Sequence, residues 1–267
     1  MSIDEIVFEA NDTIGGVDQL LRATARAEAE HFWFRGFRFF VTPLLERATA
    51  ETPDARLLDC GCGTGANLEL LGRFGRAYGF DLTASGLETA LARGRRRVAR
   101  ATVAAVPFPA STFDVVTSFD VLYAIEEDVE RAAVAEMYRV LKPGGFLIVN
   151  VAALESLRGN HSVLSREIRR YDRGGLERLL ERAGFSIVRL TYTNATLAAP
   201  LFVLRGLQRR RGLHSADDSV GVDREITVPP APINVALTAL LRLESLWLRI
   251  GNSPFGSSLL ALARKPA

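Results

Sequence analysis

The stretch Leu57-Leu58-Asp59-Cys60-Gly61-Cys62-Gly63-Thr64-Gly65-Ala66-Asn67-Leu68 holds the residues whose types and spacing suit chemistry. Glycines alternate at 61, 63 and 65, so the backbone can turn sharply and approach a ligand with no side chain between. An apolar entry from Arg56 to Leu58 precedes them, and Ala66 to Leu71 follows with the spacing of a buried helix face. The pattern reads strand, glycine loop, helix, and amide groups at the start of such a helix suit an anionic group. Asp81 closes the next apolar run, Tyr78-Gly79-Phe80-Asp81, at the distance where an acidic residue holds ribose hydroxyls. Gly61-x-Gly63-x-x-Ala66 also satisfies the loose dinucleotide pattern, so loop and acid ask for a ribose-bearing cofactor without choosing it.

These residues need a scaffold that brings distant strand ends together. After Asp81, Ala84 to Arg93 reads as a helix, Arg93 to Arg100 as its solvated basic end, and Ala101 to Ala105 as a third short strand. Pro107-Phe108-Pro109 breaks the chain, and the β-branched run Thr112 to Phe119 reads as a central strand ending at Asp120. Residues Asp128 to Leu141 keep helical spacing and stop at Pro143-Gly144-Gly145. Phe146 to Val151 is the next buried strand. A helix from Leu176 to Ala183 closes at Gly184, Phe185 to Thr191 follows as a strand, and Ser258 to Ala263 is the last. Strands and helices alternating at this length predict a doubly wound α/β sheet with helices on both faces.

Composition narrows the partners. The 267 residues, 48% of them hydrophobic, suffice for one substantial core, so a single domain with additions is expected. Net charge is +2, which demands no nucleic acid, and all basic residues but Lys142 and Lys265 are arginine. Cys60 and Cys62 lie too close together for a disulfide and are too few for a zinc site, so no metal is expected. The amino terminus lacks the basic start and apolar core of a signal peptide, and no apolar run of about 18 residues marks a span. A cytoplasmic location is the expectation.

Two regions fall outside that scaffold. Residues 1–54 read as a helical, aromatic-rich extension, with Phe32, Trp33, Phe34, Phe37, Phe39 and Phe40 interleaved with His31, Arg35 and Arg38. Such a segment covers a pocket, stacks on a substrate through His31, Trp33 and Phe34, or packs on the domain. The second is an insertion at about 194–254. Its apolar start, Leu197 to Leu204, meets Arg205, Arg209, Arg210 and Arg211. His214 to Pro232 reads as loop, and Ile233 to Ile250 as a helix with one polar stripe, Asn234, Thr238, Arg242, Ser245 and Arg249. The apolar remainder of that helix calls for a cover: the domain itself, a second subunit, or a membrane surface.

Four pieces together resemble the class I S-adenosylmethionine-dependent methyltransferases, in the group of the ubiquinone/menaquinone-biosynthesis enzymes. They are Leu57 to Gly65, the strand end at Asp81, Val106-Pro107-Phe108-Pro109 with Phe113-Asp114-Val115-Val116, and Arg139 to Phe146. The resemblance implies a Rossmann-like sheet, mostly parallel with an antiparallel last strand, preceded by the extension and carrying the insertion before that strand in a methyltransferase domain over 55–267. It implies S-adenosyl-L-methionine as cofactor and S-adenosyl-L-homocysteine as product. Asp59, Gly61, Cys62, Gly63 and Gly65 would face the methionine part and Asp81 the ribose, with Leu82, Ala104, Val106 and Ser118 completing the site. Thr102 departs from the family, whose members carry an acid there near the adenine.

The implied reaction is methyl transfer to an oxygen, nitrogen or carbon nucleophile of a small organic molecule, apolar or lipid-linked if the insertion is a lid. Positioning supplies most of the rate, and an oxygen or nitrogen nucleophile needs a base. Candidate bases are His161, placed first because its loop borders the substrate in similar folds, then Asp120 and Tyr123. Arg170 and Tyr171, next to Arg169, are candidates for anchoring an acidic substrate. The alternative is a non-catalytic cofactor- or partner-binding protein that kept the fold. A nucleic-acid substrate is disfavoured, because Ser118-Phe119-Asp120-Val121 stands where a base-binding tetrapeptide would follow the fourth strand.

Overall fold

The computed structural model describes residues 15–212 and 226–267. Seven strands form one sheet in the order β3-β2-β1-β4-β5-β7-β6. They are β1 (Ala55–Cys60), β2 (Gly75–Asp81), β3 (Val98–Arg100), β4 (Phe113–Phe119), β5 (Leu141–Ala152), β6 (Ser186–Thr193) and β7 (Ser258–Arg264). Strands β1 to β5 pair in parallel, while β7 runs antiparallel between β5 and β6. The central strands are apolar at nearly every position because helices cover both sides. In β4, all but Asp114 are buried.

One face carries α5 (Glu127–Val140) and α7 (Arg173–Arg182), whose Ala133, Val134, Met137, Leu176 and Leu180 pack on the sheet. The other carries α2 (Phe32–Thr49), α3 (Ala66–Leu71) and α9 (Ala231–Leu248), with α4 (Ala84–Ala92) beside them through Leu87. The remaining helices are α1 (Gly15–Ala27), α6 (Asn160–Leu164) and α8 (Ala195–Arg211). The sheet is thus the expected one, antiparallel β7 included.

Three expectations change. The third strand is Val98–Arg100 rather than Ala101 to Ala105, because β2 ends at Asp81 and its ladder partner Arg100 is the last residue it can pair. Ala101 contributes one more hydrogen bond, to the Asp81 carbonyl, and the chain then turns at Thr102. The aromatic segment narrows to the packing alternative over α2: Phe40, Val41, Leu44, Leu45 and Ala48 are buried in its interface with the sheet.

The third change concerns the helix of the insertion, which begins at Ala231, two residues early, with Pro232 in its first turn where a missing N–H costs nothing. Of its polar stripe, Asn234, Thr238 and Ser245 point inward, joined by Glu244, while Arg242 and Arg249 stay exposed. Asn234 accepts from the Phe32 N–H (2.8 Å) and donates to the Glu30 carbonyl (2.9 Å), so one side chain serves the α2 start and the turn before it. Glu244 accepts from the Ala195 and Thr196 N–H groups (2.8 and 3.1 Å) and the Thr196 hydroxyl (2.6 Å), capping α8. Unsatisfied donors at two helix starts thus draw the polar residues in, and Leu241 and Leu248 join the core, with Leu237 and Leu240 packed partly buried against it. Arg189 of β6 holds the far end through the carbonyls of Leu248 and Gly251. Most of the loop expected from His214 to Pro232 lies outside the described residues.

Candidate functional site

The strand order reverses between β1 and β4, which opens a crevice beyond their carboxyl ends. The glycine loop enters it directly from β1. Gly61, Gly63 and Gly65 have φ of +82°, +49° and +73°, a conformation that side-chain-bearing residues rarely adopt. The amides of Gly61 and Cys62 both donate to the Phe80 carbonyl at 2.9 Å, which binds the loop to the end of β2. A Cβ at Gly61 would lie 2.4 Å from the Val121 side chain, so the loop also fits tightly against the turn after β4.

Asp81 fastens the other side. One carboxylate oxygen accepts from the Gly63 N–H at 2.7 Å, and the other from the Thr83 N–H and hydroxyl at 2.8 and 2.6 Å. A carboxylate has about four acceptor positions, so a bound group can still share it. Leu82 beside it is exposed. Of the remaining cofactor candidates, Ala104 is partly exposed, while Val106 is buried and its N–H is engaged by Glu136 at 2.8 Å. Cys62 is buried against Gly79.

Deeper in, Asp59 is 1% exposed. One of its oxygens accepts from the Thr117 hydroxyl at 2.7 Å, and the other is buried without a partner. Burial, opposed by the Thr117 hydrogen bond and reinforced by Asp81, pushes its carboxyl up to about 7. The Ser118 hydroxyl on β4 is likewise buried and unpartnered. A buried carboxylate with an unmet oxygen beside a glycine loop suits a ligand bearing an ammonium group. The buried, half-satisfied Asp59 and the Asp81 clasp therefore fit a cofactor like S-adenosylmethionine, which bears an ammonium group and a ribose.

Asp120 lies at the end of β4, with φ +61°. Its carboxylate accepts from the Asn150 amide at 2.9 Å, and its own N–H donates to the Asn150 carbonyl at 3.0 Å. A non-glycine residue held in this region stores strain of a kind found at functional sites. Burial raises its carboxyl to about 7, with Asn150 and Arg170 opposing the rise and Glu167 adding to it. The outer surface of the residue is exposed, and water there lessens the rise.

Other candidates take structural parts. Tyr123 is buried, and burial drives its phenol well above the ordinary value. Arg170 pairs bidentately with Glu167 (2.9 and 3.1 Å) and donates to the Ala153 carbonyl and the Ser162 hydroxyl. Tyr171 bonds to Glu130 and to the Leu122 carbonyl, and Arg169 lies 3.2 Å from Glu130. These commitments correct the expectation that Arg170 and Tyr171 anchor a substrate: a guanidinium already holding four acceptors inside the protein has little left to offer. His161 sits in the first turn of α6, partly exposed.

His31 caps α2, accepting from the Trp33 N–H at 3.1 Å, and burial lowers its pKa. Trp33 packs toward the α2 core and Phe34 toward Ala23, Ala27 and Leu164, so the two rings diverge and do not form one substrate wall. Sequence reasoning missed Glu28. It accepts from the Thr64 hydroxyl (2.8 and 2.9 Å) and pairs with Arg93, which also donates to the Ala25 carbonyl (2.8 Å), so the end of α1 lies on the glycine loop. No motif marks Glu28, whereas Asn150, a polar residue in the apolar run 146–151, was a usable signal. Two surface hollows are present, one of about 280 Å³ between Ile226 and the end of α1 that reaches the glycine loop, and one of about 510 Å³ along α8.

Comparisons with known proteins agree with this geometry. A family model described as a methyltransferase domain matches residues 58–149. A protein of Mycolicibacterium smegmatis named a probable S-adenosylmethionine-dependent methyltransferase is 28% identical over 162 residues, 59% of this chain and 61% of its own length. The ubiquinone/menaquinone biosynthesis C-methyltransferase of Shewanella halifaxensis is 31% identical over 147 residues, 48% of this chain and 55% of that one. The chain thus spans less than two thirds of either relative. A solved S-adenosylmethionine-dependent methyltransferase of Thermotoga maritima shares the fold with a TM-score of 0.58 at 19% identity, over 95% of this chain and all of that one. The glycine loop, the Asp81 clasp and the strand order agree with these likenesses: residues 58–149 match a methyltransferase domain, and the chain is similar to S-adenosylmethionine-dependent methyltransferases.

Proposed function

We propose that the protein transfers a methyl group from S-adenosylmethionine to an oxygen, nitrogen or carbon nucleophile of a small organic molecule. The observation that carries this reading is the Asp81 carboxylate fastened to Gly63 at 2.7 Å across the switch point, with Asp59 buried and half-satisfied behind it. Bound there, the cofactor supplies a methyl group on a cationic sulfur that an in-line nucleophile displaces.

The chain's own contribution is positioning and charge. Asp81 and the loop amides hold the ribose and the loop in one geometry, and Asp59 answers the ammonium. Asp120, rather than His161, is the residue we assign as the base. It is exposed at the end of β4, held by Asn150, and its raised pKa matches removal of a proton near neutral pH. In its anionic form Asp120 takes the nucleophile's proton, and the charge it gains or loses is shared with Asn150. Arg170, bound to Glu167, sets the field around it without leaving its own partners.

Calorimetry with S-adenosylmethionine, S-adenosylhomocysteine and NADH tests the cofactor, and release of S-adenosylhomocysteine from metabolite pools tests turnover. Micromolar binding of both sulfur ligands and none of NADH is expected. NADH binding of comparable strength would overturn the reading. For the base, Asp120→Asn should abolish the rise of kcat/KM with pH near neutrality while leaving cofactor affinity in place. A pH profile unchanged by that substitution removes Asp120 from the mechanism.

A further inference from the structure

The outer face of α9 reverses the usual order of an amphipathic helix. Leu243, Leu246, Trp247 and, in the turn after it, Ile250 are between 53% and 80% exposed, while Asn234, Thr238, Glu244 and Ser245 face in. Rotation cannot hide them, because Asn234 and Glu244 lock the helix to the starts of α2 and α8. Helix α8 repeats the combination, with Phe202, Val203, Leu204 and Leu207 exposed just ahead of Arg209 and Arg210. Exposed apolar residues clustered in this way on a helix mark an interaction site.

Charge says what covers it. Among the described residues, α8 and α9 hold a single acid, Glu244, and it is buried as the α8 cap. The exposed charges along the two helices and the turn after α9 are all arginine: 209, 210, 242 and 249. A two-fold contact between copies would set these arginines against their own equivalents with no exposed acid on either helix to answer them. The nearest carboxylate, Glu46 of α2, already lies 3.9 Å from Arg249. No described helix is long and apolar enough to cross a membrane, so the surface suits lying on a bilayer rather than entering it.

From these observations we infer that the α8–α9 excursion docks on an anionic lipid surface. Leu243, Leu246 and Ile250 enter the acyl boundary, Trp247 sits at headgroup depth, and the arginines meet lipid phosphates. The surface stands apart from the strand-end crevice, so it holds independently of which substrate is methylated.

Co-sedimentation of the full chain with phosphatidylcholine vesicles, with and without phosphatidylglycerol, tests it. Binding is expected to the anionic vesicles at low salt, to weaken as salt rises, and to be much weaker on phosphatidylcholine alone. Replacing Leu243 and Trp247 together with Asp should weaken partition at least about tenfold, and Arg242→Gln and Arg249→Gln about fivefold each. Ile250→Asp, outside the helix and 80% exposed, repeats the test if the double variant melts early. Unchanged melting and cofactor affinity in the variants show that the loss is one of docking. No wild-type sedimentation on anionic vesicles overturns the inference, as does sedimentation that the apolar substitutions leave intact. A dimer mass by light scattering that the Asp variants halve, without vesicle binding, would assign the surface to a second copy.

Discussion

Replacing Asp59 with Asn should make the protein more stable above neutral pH while it weakens cofactor binding. A carboxyl that titrates near 3.8 in the unfolded chain and near 7 in the folded one binds more protons folded than unfolded between those values. Stability therefore has a negative slope with pH across that window, is fully present below pH 3.8, and is lost as pH rises through about 7. The full loss is about 4 kcal/mol, an upper figure for a residue that is 1% exposed. Asparagine resembles the neutral acid: its carbonyl can still accept from Thr117, and its amide leaves one buried polar group unmet, as the acid does. Urea unfolding from pH 5.5 to 8.5 should show wild type declining more steeply than Asp59→Asn, with the gap between them narrowing toward the acid end and closing only below pH 3.8. Asp120→Asn is the companion measurement, since Asp120 slopes the same way with a smaller, water-screened amplitude. Calorimetry should show Asp59→Asn binding S-adenosylmethionine at least about tenfold more weakly, because a charged partner of its ammonium is gone. A wild-type stability that is level across this range, or a decline as steep in Asp59→Asn as in wild type, would refute the burial argument.

Asp81→Ala removes the acceptor of Gly63 and Thr83 as well as the ribose partner, so cofactor affinity by calorimetry should fall at least about tenfold. Gly36→Ala would put a Cβ 2.3 Å from Leu241, which is fully buried and cannot move aside, and thermal melting should report a loss of about 1–3 kcal/mol. Glu244→Ala leaves the α8 start uncapped and should cost about 1–2 kcal/mol by chemical denaturation. Deleting residues 1–30 should leave a cooperative melt but free Thr64 and Arg93 from Glu28, whereas extending the deletion through residue 40 should abolish the melt, because Phe40 belongs to the core.

The sheet was legible because a parallel strand covered on both faces is apolar almost throughout, as in 113–119 and 146–151, and the glycine loop was legible because few other residues adopt its dihedrals. The fate of α9 was not. Burial of apolar residues is a one-way rule, and the side chains that decided its rotation, Asn234 and Glu244, answer backbone groups of residues 30–32 and 195–196, which no local spacing reveals. The same holds for the third strand, whose limit is set by where β2 ends. Among the site candidates, Asp81 declared itself by its place after an apolar run. Arg170 misled because its four acceptors come from Ala153, Ser162 and Glu167, near in sequence yet indistinguishable there from solvent.

The position of β7 has a consequence for assembly. Among the described residues strand β6 pairs with β7 alone, with Thr193 opposite Ser258, so the two form a hairpin whose connection is the whole of residues 194–257. Closing so long a loop costs little more entropy than closing one half its length, yet it is a distant contact and forms late. Until β7 slots in, β5 and β6 are separated by a gap one strand wide and each offers an unpaired edge. A chain caught at that stage can recruit the matching strand of a neighbour into the gap, and exchange of β7 between molecules is the misassembly this topology invites.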